Sequence, residues 1–345
     1  MLPRGGVYDI AYGFVATTQR IYQVLSPVAQ KRLHGNLRDR VSGIYGLRPL
    51  VYEMTMAAHL VNAGYNVDSI DLEGKGRFDF LAIKDEVEFE MECKTTSSDK
   101  GRQIHRKQFN RLTQALLPIT TTLVDAGGCH VIRLTIPERL KTSRQQLAEF
   151  ASVVSSEVST GCAAQEIGRA EYKELNVDHW PLLDEISELT ARDLLEKVFG
   201  AGNRHVTWHY RRPGLGVALI AAESETSDKM LEAIADDAKA AADQCTGTRP
   251  ALIMIQLAEI KPDELKTFLE TKSGIHFVAH AVFTSDTRSH VDCVGFSLPA
   301  STENFGATEI RGTAAVLHNP SPRMPPSAAI RGLFRVYSTS SRLSA

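Results

Sequence analysis

Between Arg77 and Lys94 the chain reads RFDFLAIKDEVEFEMECK, and no other stretch limits the fold so closely. Apolar and polar residues alternate through two runs, Arg77–Ile83 and Glu86–Thr95. A side-chain period of two is the mark of a half-buried strand. With the turn centred between Asp85 and Glu86, an antiparallel hairpin pairs residues whose numbers sum to 171. Asp79 then faces Glu92, with Cβ atoms ~4.5–5.5 Å apart. The other face pairs Phe78 with Cys93, Phe80 with Met91 and Ala82 with Phe89, an apolar surface for packing. Lys94 falls on the same face as Glu92 and Asp79. Two carboxylates opposed across a ladder repel unless a cation lies between them. A hard divalent ion such as Mg²⁺, which prefers carboxylate and carbonyl oxygens, resolves that repulsion.

The segment before the hairpin predicts an amphipathic helix from Pro49 to Ala63, with Pro in its first turn and Gly64 as its stop. At 100° per residue, Leu50, Met54, Met56, Ala57, Leu60 and Val61 share one face. Tyr52, Thr55, His59 and Asn62 share the other, where His59 reads as exposed. Glu53 falls inside the apolar arc. A carboxylate aimed at a core is costly without a cation or donors, so Glu53 reads as a third acid reaching the same ion.

A helix carrying an acid, an Asp on one strand and Glu-x-Lys on the next resembles the PD-(D/E)XK nuclease superfamily. The motif stands here as Phe78-Asp79 and Glu92-Cys93-Lys94, with Phe78 where the name-giving Pro would be. The layout is similar to the archaeal-resolvase and Mrr-like branches, in which an early helix adds a metal-binding Glu. Glu53 matches that position. The resemblance covers residues 45 to 150 and implies Mg²⁺-dependent phosphodiester hydrolysis, with Mn²⁺ as an alternative ion. It assigns Asp79, Glu92, the Cys93 carbonyl and Glu53 to the metal, Glu53 directly or through water. It gives Lys94 the attacking water and the charge growing on the phosphorane.

Flanking charge fits a polyanionic substrate. Lys100, Arg102, Arg106, Lys107 and Arg111 follow with no acid between residues 100 and 111, and such residues contact phosphates. Gln108 resembles a Gln that some branches carry on this helix. The basic stretch from Lys31 to Arg48 is a candidate second wall. DNA is the expected partner, and RNA is left open. Net charge is −2, so binding must come from such local patches.

At 345 residues the chain predicts two domains. The expected division is a basic extension over 1–47, a nuclease-like domain over 48–160, a second α/β domain over 165–320 and a loose tail over 321–345. The fold class is α/β: a restriction-endonuclease-like mixed β-sheet flanked by helices, plus the second α/β domain. That second domain would set substrate choice or dimerisation, since a double-strand cut with one active site per chain usually needs a homodimer.

Helices are expected near 105–125, 143–156, 185–199 and 227–244, and strands near 131–136, 205–211, 216–222, 251–257, 276–284 and 291–298. Five widely spaced cysteines without C-x-x-C, no apolar run of membrane-spanning length and no secretory layout at the start imply a cytoplasmic protein without a membrane partner.

Competing readings are simpler. Glu88 and Glu90 read as a solvated strand face. His205 and His209 have metal spacing only on a helix, and their surroundings read as strand. Asp178-His179-Trp180 reads as a turn with a packed aromatic. For the whole chain, the alternatives are a nuclease-like module that binds DNA or a partner protein without cutting, and a metal-free site in which Asp79 and Glu92 are merely ion-paired.

Overall fold

The computed structural model describes residues 7–42, 46–97, 99–161, 164–165, 167–176, 188–200, 202, 204–210, 216–258, 274–299, 314–324 and 328–334. In chain order the elements are α1 (Val7–Val24), α2 (Pro27–Ser42), α3 (Arg48–Asn62), β1 (Asn66–Ser69), α4 (Ile70–Glu73), β2 (Phe80–Lys84), β3 (Val87–Ser97) and α5 (Arg106–Ala126). There follow β4 (Gly128–Ile136), α6 (Arg144–Thr160), β5 (Ala164–Gln165), β6 (Gly168–Leu175), α7 (Glu188–Phe199), β7 (His205–Tyr210) and β8 (Gly216–Ser224). The last are α8 (Met230–Ala242), β9 (Ala251–Ala258), α9 (Ile275–Phe283), β10 (Val291–Ser297), β11 (Ala314–His318) and α10 (Ala328–Arg331). The protein is thus α/β, with mixed sheets flanked by helices. Among the described residues no helix is long and apolar enough to cross a membrane.

Two compact units emerge, one made of Met1–Lys100 with Met230–Ala345 and the other of Gly101–Lys229. This division differs from the expected boundaries at 48–160 and 165–320. The chain leaves the first sheet after β3 and returns at α8, so one unit is an insertion in the other. The hairpin's sheet is therefore completed by strands far along the chain. At the junction of the inserted unit, Lys229 N–H donates to Gly101 O at 2.8 Å and Gln103 N–H donates to Asp228 Oδ1 at 2.8 Å.

In the first unit the strand order is β1-β2-β3-β9-β10-β11. β1 to β3 are antiparallel, β3, β9 and β10 run parallel, and β11 returns antiparallel at the edge. The β2–β3 register pairs Phe80 with Met91 and Ala82 with Phe89, the expected sum of 171. Asp85 takes a positive φ of 53° in the tight turn, a conformation that Asp tolerates better than most residues.

β9, ALIMIQLA, explains why this sheet is buried on both sides. Ala251, Ile253, Ile255 and Leu257 enter one core, while Leu252 and Met254 enter the opposite one. A near-continuous apolar run is what a central parallel strand requires.

The inserted unit has the order β5-β6-β4-β8-β7, with β4 and β8 parallel. Its sheet also divides two cores. Ile132, Leu134 and Ile136 of β4 face α5 and α6, whereas Cys129 and Val131 pack with Ala191 and Leu195 of α7. On α5, Phe109, Leu112, Leu116 and Leu123 are buried along one face.

Several expectations are corrected. Residues 276–284, read as a strand, lie in α9, where Ile275, Val278, Ala279 and Val282 are buried at i, i+3, i+4 and i+7. That spacing is the helical one. Phe78 does not meet Cys93: the chain bends over 77–79, and Phe78 packs with Ile70 and Ile253 on the other face. Residues before 48 are not merely a basic arm. Residues 7–24 and 27–42 form α1 and α2, and Ile21, Leu25, Ala29 and Leu33 enter the core beneath the hairpin.

On α3, Tyr52 is buried rather than exposed, its hydroxyl accepting from Ser297 Oγ at 2.9 Å, while Val61 is exposed. His59 is not free: it meets Leu333 O at 2.9 Å and stacks on Phe334. The Asp178-His179-Trp180 reading lies outside the described residues, as does most of the expected tail.

A carboxylate cluster at the hairpin as candidate active site

Asp79 sits one residue before β2, where the bend at 77–79 meets the start of the ladder. Glu92 lies opposite on β3, and the two are tied reciprocally. Asp79 N–H donates to Glu92 Oε2 at 3.1 Å, and Cys93 N–H donates to Asp79 Oδ2 at 2.7 Å. Both side chains are buried, Asp79 at 9% and Glu92 at 2% exposure. Lys94, two residues along the same strand face, places its Nζ 2.5 Å from Glu92 Oε1. The ladder itself begins at Phe80–Met91, so the two acids expected to face each other across it meet just beyond its end, through these side-chain to main-chain bonds.

Glu53 reaches the neighbourhood from α3, as expected, and pairs with Arg40 of α2 at 3.5 Å. The oxygens of Glu53, Asp79 and Glu92 do not all lie within 4.8 Å of one another. Simultaneous direct ligation by all three is thus absent from this arrangement. The Asp79–Glu92 pair stands at the centre, with Glu53 set back. Arg40, expected in a wall for the substrate, instead faces Glu53, and Arg32 donates to Leu72 O at 2.8 Å.

Electrostatics mark the cluster as short of positive charge. Burial, then the charges of Glu92 and Glu53, hold the Asp79 carboxyl well above its ordinary range. Burial raises Glu92 too, against the opposing pull of Lys94. Burial pushes Glu53 up to about 7 despite Arg40. Lys94 shows the complement: burial pulls its pKa down, but Glu92 and the other acids outweigh this and leave it above its usual value. The Lys94 ammonium and the Arg40 guanidinium together do not balance Glu53, Asp79 and Glu92.

Two contributors escape sequence reading. Asp71, on α4, adds a further negative charge felt by Glu53, Asp79 and Glu92. Its only local signal is an acid between two buried apolar residues, Ile70 and Leu72. Gln244, just past α8, accepts from Lys94 Nζ at 3.0 Å. No spacing rule links residue 244 to residue 94, since α8 comes beside β3 only after the inserted unit has been traversed.

The basic run is divided between the two units. Lys100 belongs to the first unit and its ammonium is paired with Asp237, which also accepts from Thr96 Oγ1 at 2.9 Å. Arg102, Arg106, Lys107, Gln108 and Arg111 belong to the inserted unit. Gln108 serves the helix start there: its Oε1 accepts from His105 N–H at 3.0 Å in a capping box. Arg111 donates to Thr142 Oγ1 at 3.1 Å. Arg106 and Lys107 are exposed.

Glu90, read as solvated, is fully buried. It accepts from Thr246 N–H at 2.7 Å and from Thr246 Oγ1, with Arg249 at 3.5 Å. The cause is β9: its pairing with β3 brings residues 246–249 over that face. Glu88 is exposed and pairs with Arg249 at 2.9 Å. His205 and His209 lie on β7, bonded to Ile104 O at 2.7 Å and Thr120 Oγ1 at 3.0 Å.

No family model, curated protein or solved structure matches this chain.

Proposed function

We propose that the protein is a metal-dependent nuclease, hydrolysing phosphodiester bonds in DNA as an endonuclease of restriction, defence or repair type. On this reading the first unit's sheet is a restriction-endonuclease-like core. The observation that carries the proposal is the buried Asp79–Glu92 pair with Lys94 on the same face, in a cluster whose acids exceed its cations. The donor set suits Mg²⁺: carboxylate oxygens and a main-chain carbonyl, with no sulfur or imidazole among them. Asp79, Glu92 and the Cys93 carbonyl would hold the ion, and Glu53 fits best as a partner acting through water. Bound there, Mg²⁺ supplies polarisation of the scissile phosphate and a water of lowered pKa.

The chain's own groups do the rest. Lys94 presents an ammonium beside Glu92, placed to orient the attacking water and to offset charge on the phosphate oxygens. Gln244 holds Lys94 from the second side. Asp79 and Glu92 are fixed by main-chain N–H donors, so their carboxylates need little reorganisation. Incubation of plasmid, linear and branched DNA with Mg²⁺, and with EDTA as control, tests the reading. Cleavage that depends on Mg²⁺ and falls by about 10²–10⁴ in Asp79→Ala and Lys94→Ala is expected. Metal-independent cutting, or cutting undiminished in both variants, refutes it.

A further inference from the structure

A second set of ligand atoms lies on β10 and β11. Cys293 and His318 are directly opposed across the antiparallel ladder, so their side chains share a face. Asp292 precedes Cys293, and in a regular strand the two would point to opposite faces. Here the register between β9 and β10 shifts between Val291 and Cys293, which leaves Asp292 as an extra residue. Such a bulge re-aims a side chain. The result is a carboxylate oxygen, a thiol sulfur and an imidazole nitrogen all within 4.8 Å of one another.

The carboxylate is what demands a ligand. Asp292 is only 1% exposed, and neither of its oxygens has a hydrogen-bond partner. The Nδ1 of His318 also lacks one, at 3.7 Å from Asp292 Oδ2, too far for a hydrogen bond. Burying a carboxylate without donors is costly, and natural proteins seldom leave one so.

We propose that Asp292, Cys293 and His318 bind a divalent transition ion of the Zn²⁺ class. Thiolate and imidazole select such an ion against Mg²⁺ or Ca²⁺. Three protein ligands leave a fourth position for water. His318, 30% exposed at its side chain, opens the route to solvent. On binding, the Cys293 S–H bond breaks, its proton passes to solvent and the sulfur's electron pair goes to the ion. The ion clasps the edge strand β11 to β10. This site is independent of the all-oxygen cluster at the hairpin, which suits a harder ion.

The test uses the full chain, stripped with a chelator and titrated with Co²⁺ in excess Mg²⁺ while its absorption spectrum is followed. A thiolate-to-cobalt charge-transfer band that saturates at one equivalent and is bleached by Zn²⁺ is expected. Cys293→Ser abolishes the band, His318→Gln weakens Co²⁺ binding by about 10-fold or more, and Asp79→Ala changes neither. Absence of the band in the native protein overturns the proposal, as does a band that survives Cys293→Ser or an affinity unmoved by His318→Gln. Should Cys293→Ser fail to fold, His318→Gln decides, since residue 318 is partly exposed.

Discussion

Each unit buries charge on its sheet, but the two do so differently. In the inserted unit Arg133 and Arg204 meet Glu171 and Glu223. Arg204 Nε lies 2.9 Å from Glu223 Oε2, and Arg133 bridges Glu171 at 2.5 Å and Glu223 at 3.5 Å. With Arg169, 3.5 Å from Glu171, three guanidinium groups meet two carboxylates, and Arg133 also covers the Phe199 ring at 4.6 Å. In the first unit Glu53, Asp79 and Glu92 share Lys94 and Arg40, with Asp71 adding a further acid. A set in which every acid is paired explains itself as structure. An unbalanced one stores repulsion that a cation would relieve, and perturbed carboxylates of this kind gather at functional sites.

The largest test of that contrast is removal of one charge from the paired set. Glu223→Gln leaves Arg204, which is 3% exposed, without its carboxylate. Breaking a buried pair in this way costs about 3–5 kcal/mol, read as a lower denaturation midpoint. A loss below about 1 kcal/mol would put this network among exposed pairs and blur the contrast.

A smaller, pH-dependent effect belongs to Glu53. Its folded pKa, about 7, lies above its ordinary value, so its favourable contribution is present at low pH and is lost as pH rises through about 7. Glu53→Gln removes that dependence. In chelator-treated protein the variant should gain on the native chain by about 2 kcal/mol between pH 5 and pH 8. Denaturant titrations at both pH values measure it, and parallel curves for the two proteins would mean that burial does not raise the Glu53 carboxyl.

How much of this was legible in the sequence follows from the range of each interaction. The hairpin register was readable from Phe80 to Met91, because it depends only on alternation and turn position, while the bend at 77–79 that turns Phe78 away was not. Glu53 was readable because a helix face is also local. Gln244, Asp237 and the burial of Glu90 were not, since all depend on α8 and β9 arriving beside β3 after an insertion of over a hundred residues. The Asp292–Cys293–His318 trio was hidden for another reason. Adjacent residues on a strand should diverge, and only the bulge between Val291 and Cys293 brings them together. Misreading α9 as a strand had the opposite cause: its helical spacing was present, but a short apolar run leaves the two periods hard to separate.

The smallest effect carries the sharpest sign. Asp79→Asn keeps an oxygen for Cys93 N–H and leaves the Asp79 N–H bond to Glu92 untouched, since both involve atoms the substitution preserves or never reaches. What it removes is one negative charge opposite another. If the cluster awaits a cation, the chelator-treated variant at pH 8 should be more stable than the native chain, by about 1 kcal/mol or less. If Asp79 is merely an ion-pair partner, the same change should destabilise, as Glu223→Gln does in the inserted unit. Mg²⁺ separates the two further. It should raise the native midpoint by mass action, about 2.7 kcal/mol at a hundredfold excess over Kd, and leave Asp79→Asn nearly unmoved. The native chain would then overtake the variant as the ion is added, and a fixed order of stability at every Mg²⁺ concentration would reduce the hairpin cluster to the same kind of structure as its counterpart.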